Sequence, residues 1–133
     1  MKSRSRQLFV SLVCIFTIVQ SLNAQEAKTA KPKQFIYVLR LVSRLHADSA
    51  WTKEDKAALD RHFVRFQEAA KSGQLILAGR TSEPGDKTFG IAIFEARDED
   101  AARKFMQEDP AVAGGLMTAE LHPFAVALQR KNP

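Results

Sequence analysis

The chain is predicted to be an α+β domain with the element order β-α-β-β-α-β. Three observations carry that prediction: an aromatic and β-branched run followed by a helix-period segment, a hairpin signal at Pro84-Gly85, and a second helix-period segment running into a last strand. With 133 residues there is room for one such domain and not for two comfortable ones. Hydrophobic residues at 45% and charged residues at 26% are globular proportions and exclude wholesale disorder.

Residues 34–42 (QFIYVLRLV) form the first predicted strand. In extended backbone Phe35, Tyr37, Leu39 and Leu41 share one face, while Ile36, Val38 and Val42 share the other with Arg40. Apolar residues on both faces predict a central strand. Residues 43–51 read as a polar connection. Thr52 with Asp55 three residues on resembles a capping box, and Leu59, Phe63, Phe66 and Ala70 then recur at helical spacing, which predicts one buried stripe. Gly73 suits the position just past that helix.

Residues 74–78 (QLILA) and 89–96 (FGIAIFEA) read as two strands of a hairpin, joined by a turn at 82–87. Asp98 can cap a second helix whose apolar side is Ala101, Ala102, Phe105 and Met106, and Pro110 is expected to stop it. Gly114-Gly115 gives a reversal into a final strand over 117–128, where Pro123 marks an interruption or an edge. The order is the split βαβ of ferredoxin-like folds.

The N-terminus reads differently. Lys2, Arg4 and Arg6 precede an apolar run from Leu8 to Val19, and the small Ala24 precedes the polar Gln25. Residues 1–24 thus have the three-part plan of a cleavable signal peptide, although Leu22 is larger than the residue favoured at its place before the cut. The competing reading is an uncleaved anchor, but the run falls short of the ~20 residues a spanning helix needs. Bulky Val13 and the position of Cys14 inside the run argue against a lipid anchor there.

Residues 25–33 (QEAKTAKPK) read as a flexible linker and residues 34–129 as the domain. Loss of the first 24 of 133 residues leaves 109 and removes three of the basic side chains, so the net charge drops from +5 to about +2. The single cysteine leaves with them. The expected location is the periplasm or the exterior, with no stable membrane anchor after cleavage. The basic balance that first suggests nucleic acid is then largely the export signal, so no nucleic-acid partner is expected.

His62 borders the predicted apolar stripe, three residues after Leu59 and four before Phe66. It can be a boundary histidine packing its ring, or a general acid or base near neutral pH. Asp109 follows Gln107-Glu108 at a helix C-terminus, where the macrodipole disfavours a carboxylate, and Pro110 biases its backbone away from the helix. It is an ordinary helix stop, or a carboxylate that accepts the His62 N–H and fixes its tautomer.

His46, His62 and His122 lack metal-ligand spacing, so no metal is expected. Arg40, Arg44 and Arg80 are candidates for an anionic ligand, Arg80 most of all because it follows Gly79 at a strand end; singly, each also reads as solvated charge. The Gly114-Gly115 amides can face an anion or simply turn the chain. No phosphate loop, nucleophile elbow or dinucleotide fingerprint occurs.

Taken together, DRHFVRF around His62, GQLILAGR, FGIAIFEARDEDAARKFMQEDPAV and GGLMTAELHPF resemble the YCII-related domain family. The ordered set is His62, Gly73, Gly79, Gly90, Glu95-Ala96, the alanine pair of the second helix, Asp109-Pro110 and Gly115-Leu116, and it covers Phe35 to Leu128. The resemblance implies a ferredoxin-like unit that pairs into a dimeric α+β barrel, hence a homodimer, with a cleft holding a His-Asp pair at His62 and Asp109. It also implies action on small organic compounds, aromatic or halogenated, as in the dehydrochlorination of a hydroquinone. Arg80 stands where family members usually carry proline, which implies a more cationic cleft mouth. The residue 43–51 connection and the export signal also depart from the short cytoplasmic members.

Two function classes follow. One is a cofactor-independent acid/base enzyme of lyase, isomerase or dehydrochlorinase type, with His62 and Asp109 catalytic and Arg80 and Gly115 binding a small-molecule substrate. The other is a non-catalytic module that binds a small ligand or assembles as a dimer.

Overall fold

The computed structural model describes residues 31–130. Residues 1–24, with the predicted signal peptide, and most of the predicted linker lie outside them. The strands are β1 (Lys33–Leu41), β2 (Leu75–Arg80), β3 (Gly90–Ala96) and β4 (Met117–Phe124). The helices are α1 (Lys53–Lys71), α2 (Glu99–Gln107) and the short α3 (Pro110–Ala113). All strand pairings are antiparallel and the sheet order is β2-β3-β1-β4. This is the ferredoxin-like β-α-β-β-α-β unit that the sequence predicts, and β1 is central as its two apolar faces require.

One sheet face carries the core. Phe35, Tyr37 and Leu39 of β1, with Ala92, Phe94 and Ala96 of β3, pack against Phe66 and Ala69 of α1 and Ala102, Phe105 and Met106 of α2. Phe94 stacks on Phe105 at 4.7 Å between ring centroids and meets Tyr37 edge-on at 5.5 Å. The other face presents Ile36, Val38, Ile91 and Ile93, all half-buried, and among the described residues no helix lies over them. The register sets Ile36 beside Ile93 and Val38 beside Ile91, so the four form a contiguous apolar patch.

The helix ends form as their residues dictate. Thr52 and Asp55 make the reciprocal capping box of α1, and Asp98 caps α2 through the Ala101 amide. Gly73 takes φ +80° just past α1, a left-handed conformation that favours glycine. The connection after β1 is more structured than its polarity suggests. It folds into two 3₁₀ turns, Ser43–His46 and Asp48–Ala50, because Leu45 is buried and the Trp51 indole N–H donates to the Leu45 carbonyl at 3.1 Å. Arg44 donates two hydrogen bonds of 2.8 and 2.7 Å to Asp55, which ties these turns to the start of α1.

Three expectations need correction. The buried face of α1 is Asp55, Ala58, His62, Phe66 and Ala69; of the predicted stripe Leu59, Phe63, Phe66 and Ala70 only Phe66 is buried. That stripe lines a cleft beside the core, which leaves Phe63 54% exposed. Helical spacing identifies an apolar face but does not say whether a core or a cleft lies in front of it.

The helix before Pro110 does end, at Gln107, yet Pro110 then opens α3 at a first-turn position, where its missing N–H costs nothing. The last strand stops at Phe124, four residues early. Pro123 has no N–H to give the ladder, and β1 runs out at Lys33; beyond it the Val126 amide donates to the Gln34 side chain at 2.8 Å instead.

Candidate functional site

Asp109 is fully buried, and its position is built by local sequence. Pro110 holds the preceding residue out of the helical region, and Asp109 accordingly sits at φ −59°, ψ 125° as N-cap of α3. Its Oδ1 accepts from the Ala111 amide at 2.9 Å. The expectation of a carboxylate opposed by the end of a helix is therefore reversed: Asp109 faces amides at the start of the next one.

Two further donors complete the carboxylate. Tyr37 of β1 donates its hydroxyl to Oδ2 at 2.8 Å, and His62 Nδ1 lies 2.7 Å from Oδ1 and 2.8 Å from Oδ2. Burial pushes the Asp109 carboxyl up, but the hydrogen bond and charge of His62, the Ala111 amide and the Tyr37 hydroxyl outweigh it. The net effect holds the group below the usual carboxylate range, so it is ionised. Tyr37 shifts the opposite way: burial, then the neighbouring Asp109 charge and the hydrogen bond to it, keep the phenol protonated as a donor.

An ionised carboxylate only accepts, so Nδ1 of His62 carries a proton. In neutral imidazole that leaves Nε2 as the basic nitrogen, and among the described residues no protein group bonds to it. The ring is 5% exposed and lies against Phe66, with centroids 4.3 Å apart, which fixes its plane. His62 thus packs its ring, as its spacing allowed, and also holds a buried hydrogen bond to Asp109.

The imidazole borders a cleft of about 700 Å³ between α1 and the β2-β3 side of the sheet. The cleft wall is largely apolar, with Trp51, Leu59, Phe63, Phe66 and Phe89 among its residues. Gln67 and Thr88 are polar uncharged side chains on it, and among the described residues Arg80 is the only lysine, arginine, aspartate or glutamate that lines it. Asp109 stands behind His62 and does not reach the cleft. The site can therefore take an apolar molecule and present to it one imidazole and one cation.

The sequence candidates separate accordingly. His62 and Asp109 meet, and Arg80 shares the cleft with His62. Gly115 does not line the cleft; it takes φ +70° in the reversal after α3, and its amide donates to the Val112 carbonyl at 3.0 Å. Arg40 lies over the Phe89 ring at 5.2 Å and Arg44 is paired with Asp55. His46 contacts the Leu41 carbonyl and His122 lies 3.8 Å from Glu120, so neither joins the site.

Among the described residues no group of three His, Cys, Asp or Glu side chains could hold a metal ion. Sequence reading missed Tyr37 as a site residue. The available signal was a tyrosine on the buried face of a central strand, whose hydroxyl must find a partner.

These features define a class: a ferredoxin-like α+β domain with a Tyr-Asp-His chain set behind an apolar cleft. The YCII-related domain model matches residues 37–125, and the chain belongs to that family. No curated protein matches. The chain is also similar to two solved structures of SnoaB, a cofactor-independent oxygenase from Streptomyces nogalater. A point mutant is 18% identical with TM-score 0.40, covering 77% of this chain and 100% of that one. The second structure is 19% identical with TM-score 0.39, covering 78% and 100%.

Proposed function

We propose that the protein is a cofactor-independent acid/base enzyme acting on a small organic molecule, of lyase, isomerase or dehydrochlorinase type. The observation that carries this reading is the His62–Asp109 contact at 2.7 Å with the imidazole at the wall of an apolar cleft. In the proposed step Nε2 removes a proton from a carbon or oxygen acid of the substrate, which makes the ring an imidazolium. Asp109 stabilises that cation and keeps Nδ1 protonated throughout. The proton then leaves Nε2 for the product or for a departing group. Apolar walls suit the reaction because they limit the water that competes for the base.

The acting unit is proposed to be an exported homodimer. Ile36, Val38, Ile91 and Ile93 support the pairing, since a contiguous apolar patch with no helix over it among the described residues is what a second copy would bury. The basic, apolar and small-residue plan of residues 1–24 supports export.

The test is turnover on a panel of phenols, lactones and halogenated aromatics by the wild type and by His62→Asn. A fall of about 10²–10⁴ in kcat is expected for the variant, with folding checked by circular dichroism. Turnover that survives His62→Asn overturns the assignment of the base. A ligand retained on the purified protein without turnover on any compound indicates the binding module instead.

A further inference from the structure

Arg80 reaches the cleft by a detail of strand pairing. On β3 the residues that face the helices are Gly90, Ala92, Phe94 and Ala96, alternating with Ile91, Ile93 and Glu95 on the open face. β2 pairs Leu75 with Phe94, but Leu77 with Ile93, Ala78 with Ala92 and Arg80 with Gly90. One extra residue therefore lies between Leu75 and Leu77. A bulge of this kind reverses the alternation of every side chain beyond it. Without it Leu77 and Gly79 would face the helices and Arg80 would stand on the open face. With it the register sets Leu77 and Gly79 on the face of Ile93 and Ile91, and Arg80 on the helix-side face of Gly90. Leu77, 49% exposed, and Arg80 both line the cleft at this edge of the sheet.

The station opposite Arg80 is Gly90, which has no side chain to fill the floor of the cleft there. Among the described residues Arg80 has no carboxylate within ion-pair distance. Among the described residues no acidic side chain lines the cleft, so none of them competes there with a ligand for the guanidinium.

The register also gives the spacing. Tyr37, which marks the level of the His62–Asp109 pair, lies across β3 from Ala78, and Arg80 is two residues further along β2. Two residues span about 7 Å along the strand, and two strand spacings span about 10 Å across the sheet. The backbone stations of Tyr37 and Arg80 thus lie roughly 12 Å apart on the sheet, and both His62 and Arg80 line the one cleft. A planar guanidinium with paired N–H donors matches a carboxylate in shape as well as charge.

We infer that the cleft selects an apolar monocarboxylate, with the carboxylate on Arg80 and the apolar body extending past Phe89, Phe63 and Phe66 toward His62. This deepens the proposed reading by naming its substrate class, but the binding claim needs only the cleft and Arg80 and not catalysis by His62.

Trp51 is the only tryptophan in the chain and lines the same cleft, so its emission reports on occupancy there. The probes are 4-phenylbutyrate, its neutral amide 4-phenylbutyramide and the cationic 4-phenylbutylamine, titrated against the wild type, Arg80→Gln and His62→Asn, with excitation on the red edge of the indole band. The wild type is expected to bind the carboxylate at least ~10-fold tighter than the amide, and the amine weakest, in the range of a charge-assisted hydrogen bond.

Arg80→Gln is expected to bring carboxylate and amide to within about twofold while leaving the amide affinity unchanged. His62→Asn is expected to keep the carboxylate preference, so the binding claim stands or falls apart from the catalytic one. Equal affinity for carboxylate and amide in the wild type, a preference that survives Arg80→Gln, or carboxylate binding seen by calorimetry without a Trp51 response each overturns the inference.

Discussion

Replacing Tyr37 by phenylalanine removes one oxygen and leaves the ring. The ring keeps its packing on Phe94, Phe66 and Phe105, with centroids 5.5, 6.2 and 6.4 Å away. What is lost is a 2.8 Å hydrogen bond to a buried, ionised carboxylate. Hydrogen bonds to charged groups contribute about 1.5–3 kcal/mol, against about 1 kcal/mol for neutral pairs. Asp109 keeps two donors, His62 and the Ala111 amide, so the larger penalty of a wholly unpaired buried charge does not apply.

The expected loss in urea unfolding at neutral pH is therefore about 1.5–3 kcal/mol with an unchanged m-value. The pH dependence sharpens the claim. Asp109 has a lowered folded pKa, so its contribution to stability is present above the unfolded value of about 3.9 and is lost as pH falls through the folded value. The Tyr37 hydroxyl is one of the groups that lower it, so the difference between wild type and variant shrinks toward about 1 kcal/mol in acid, where a neutral carboxyl accepts the bond. A difference below about 0.5 kcal/mol at neutral pH, or one that does not change with acid, refutes an ionised Asp109 held by Tyr37.

Two other perturbations test the surroundings. A Cβ on Gly114 would stand 2.7 Å from the Pro110 carbonyl oxygen, a backbone atom that must move to admit it. Gly114→Ala is expected to cost about 1–3 kcal/mol by denaturant titration and to lower turnover by displacing α3 and its capping Asp109. The open sheet face can be tested with Ile93→Glu: light scattering on a sizing column is expected to show twice the chain mass for the wild type and the chain mass for the variant. A wild type that runs as a monomer, or a variant that stays dimeric, rejects pairing through this face.

The parts of the fold that were legible are those governed by local chemistry. Thr52, Asp98 and Gly73 mark helix ends because their side chain, or the lack of one, meets a backbone need within three residues. The two-sided apolar pattern of residues 34–42 placed β1 at the centre. What could not be read depends on distant neighbours. The stripe Leu59-Phe63-Phe66-Ala70 is apolar whether it meets a core or a cleft, and only its relation to β2 decides. The bulge before Leu77 leaves no mark in QLILAGR, because Leu, Ile and Ala fit either face. Arg80 is nevertheless legible as a candidate for an anionic ligand, from its place at a strand end and not from the pairing that sets its face.

Asp109 shows why the two histidine readings need not compete. The carboxylate caps α3, accepts the Tyr37 hydroxyl from the central strand and holds His62 of α1, so it joins three elements of the core at one buried point. A group with that many structural bonds would be retained for folding alone, and loss of activity in an Asp109 variant cannot separate a catalytic role from a collapsed site. His62 can separate them, because its two nitrogens face different environments. Nδ1 belongs to the buried network, while Nε2 has no protein partner among the described residues. A histidine needed only for the Asp109 bond can be replaced by an amide donor of similar reach, whereas a base cannot. Asparagine at position 62 can keep the donor and remove the basic nitrogen, which makes the activity of that folded variant the decisive measurement.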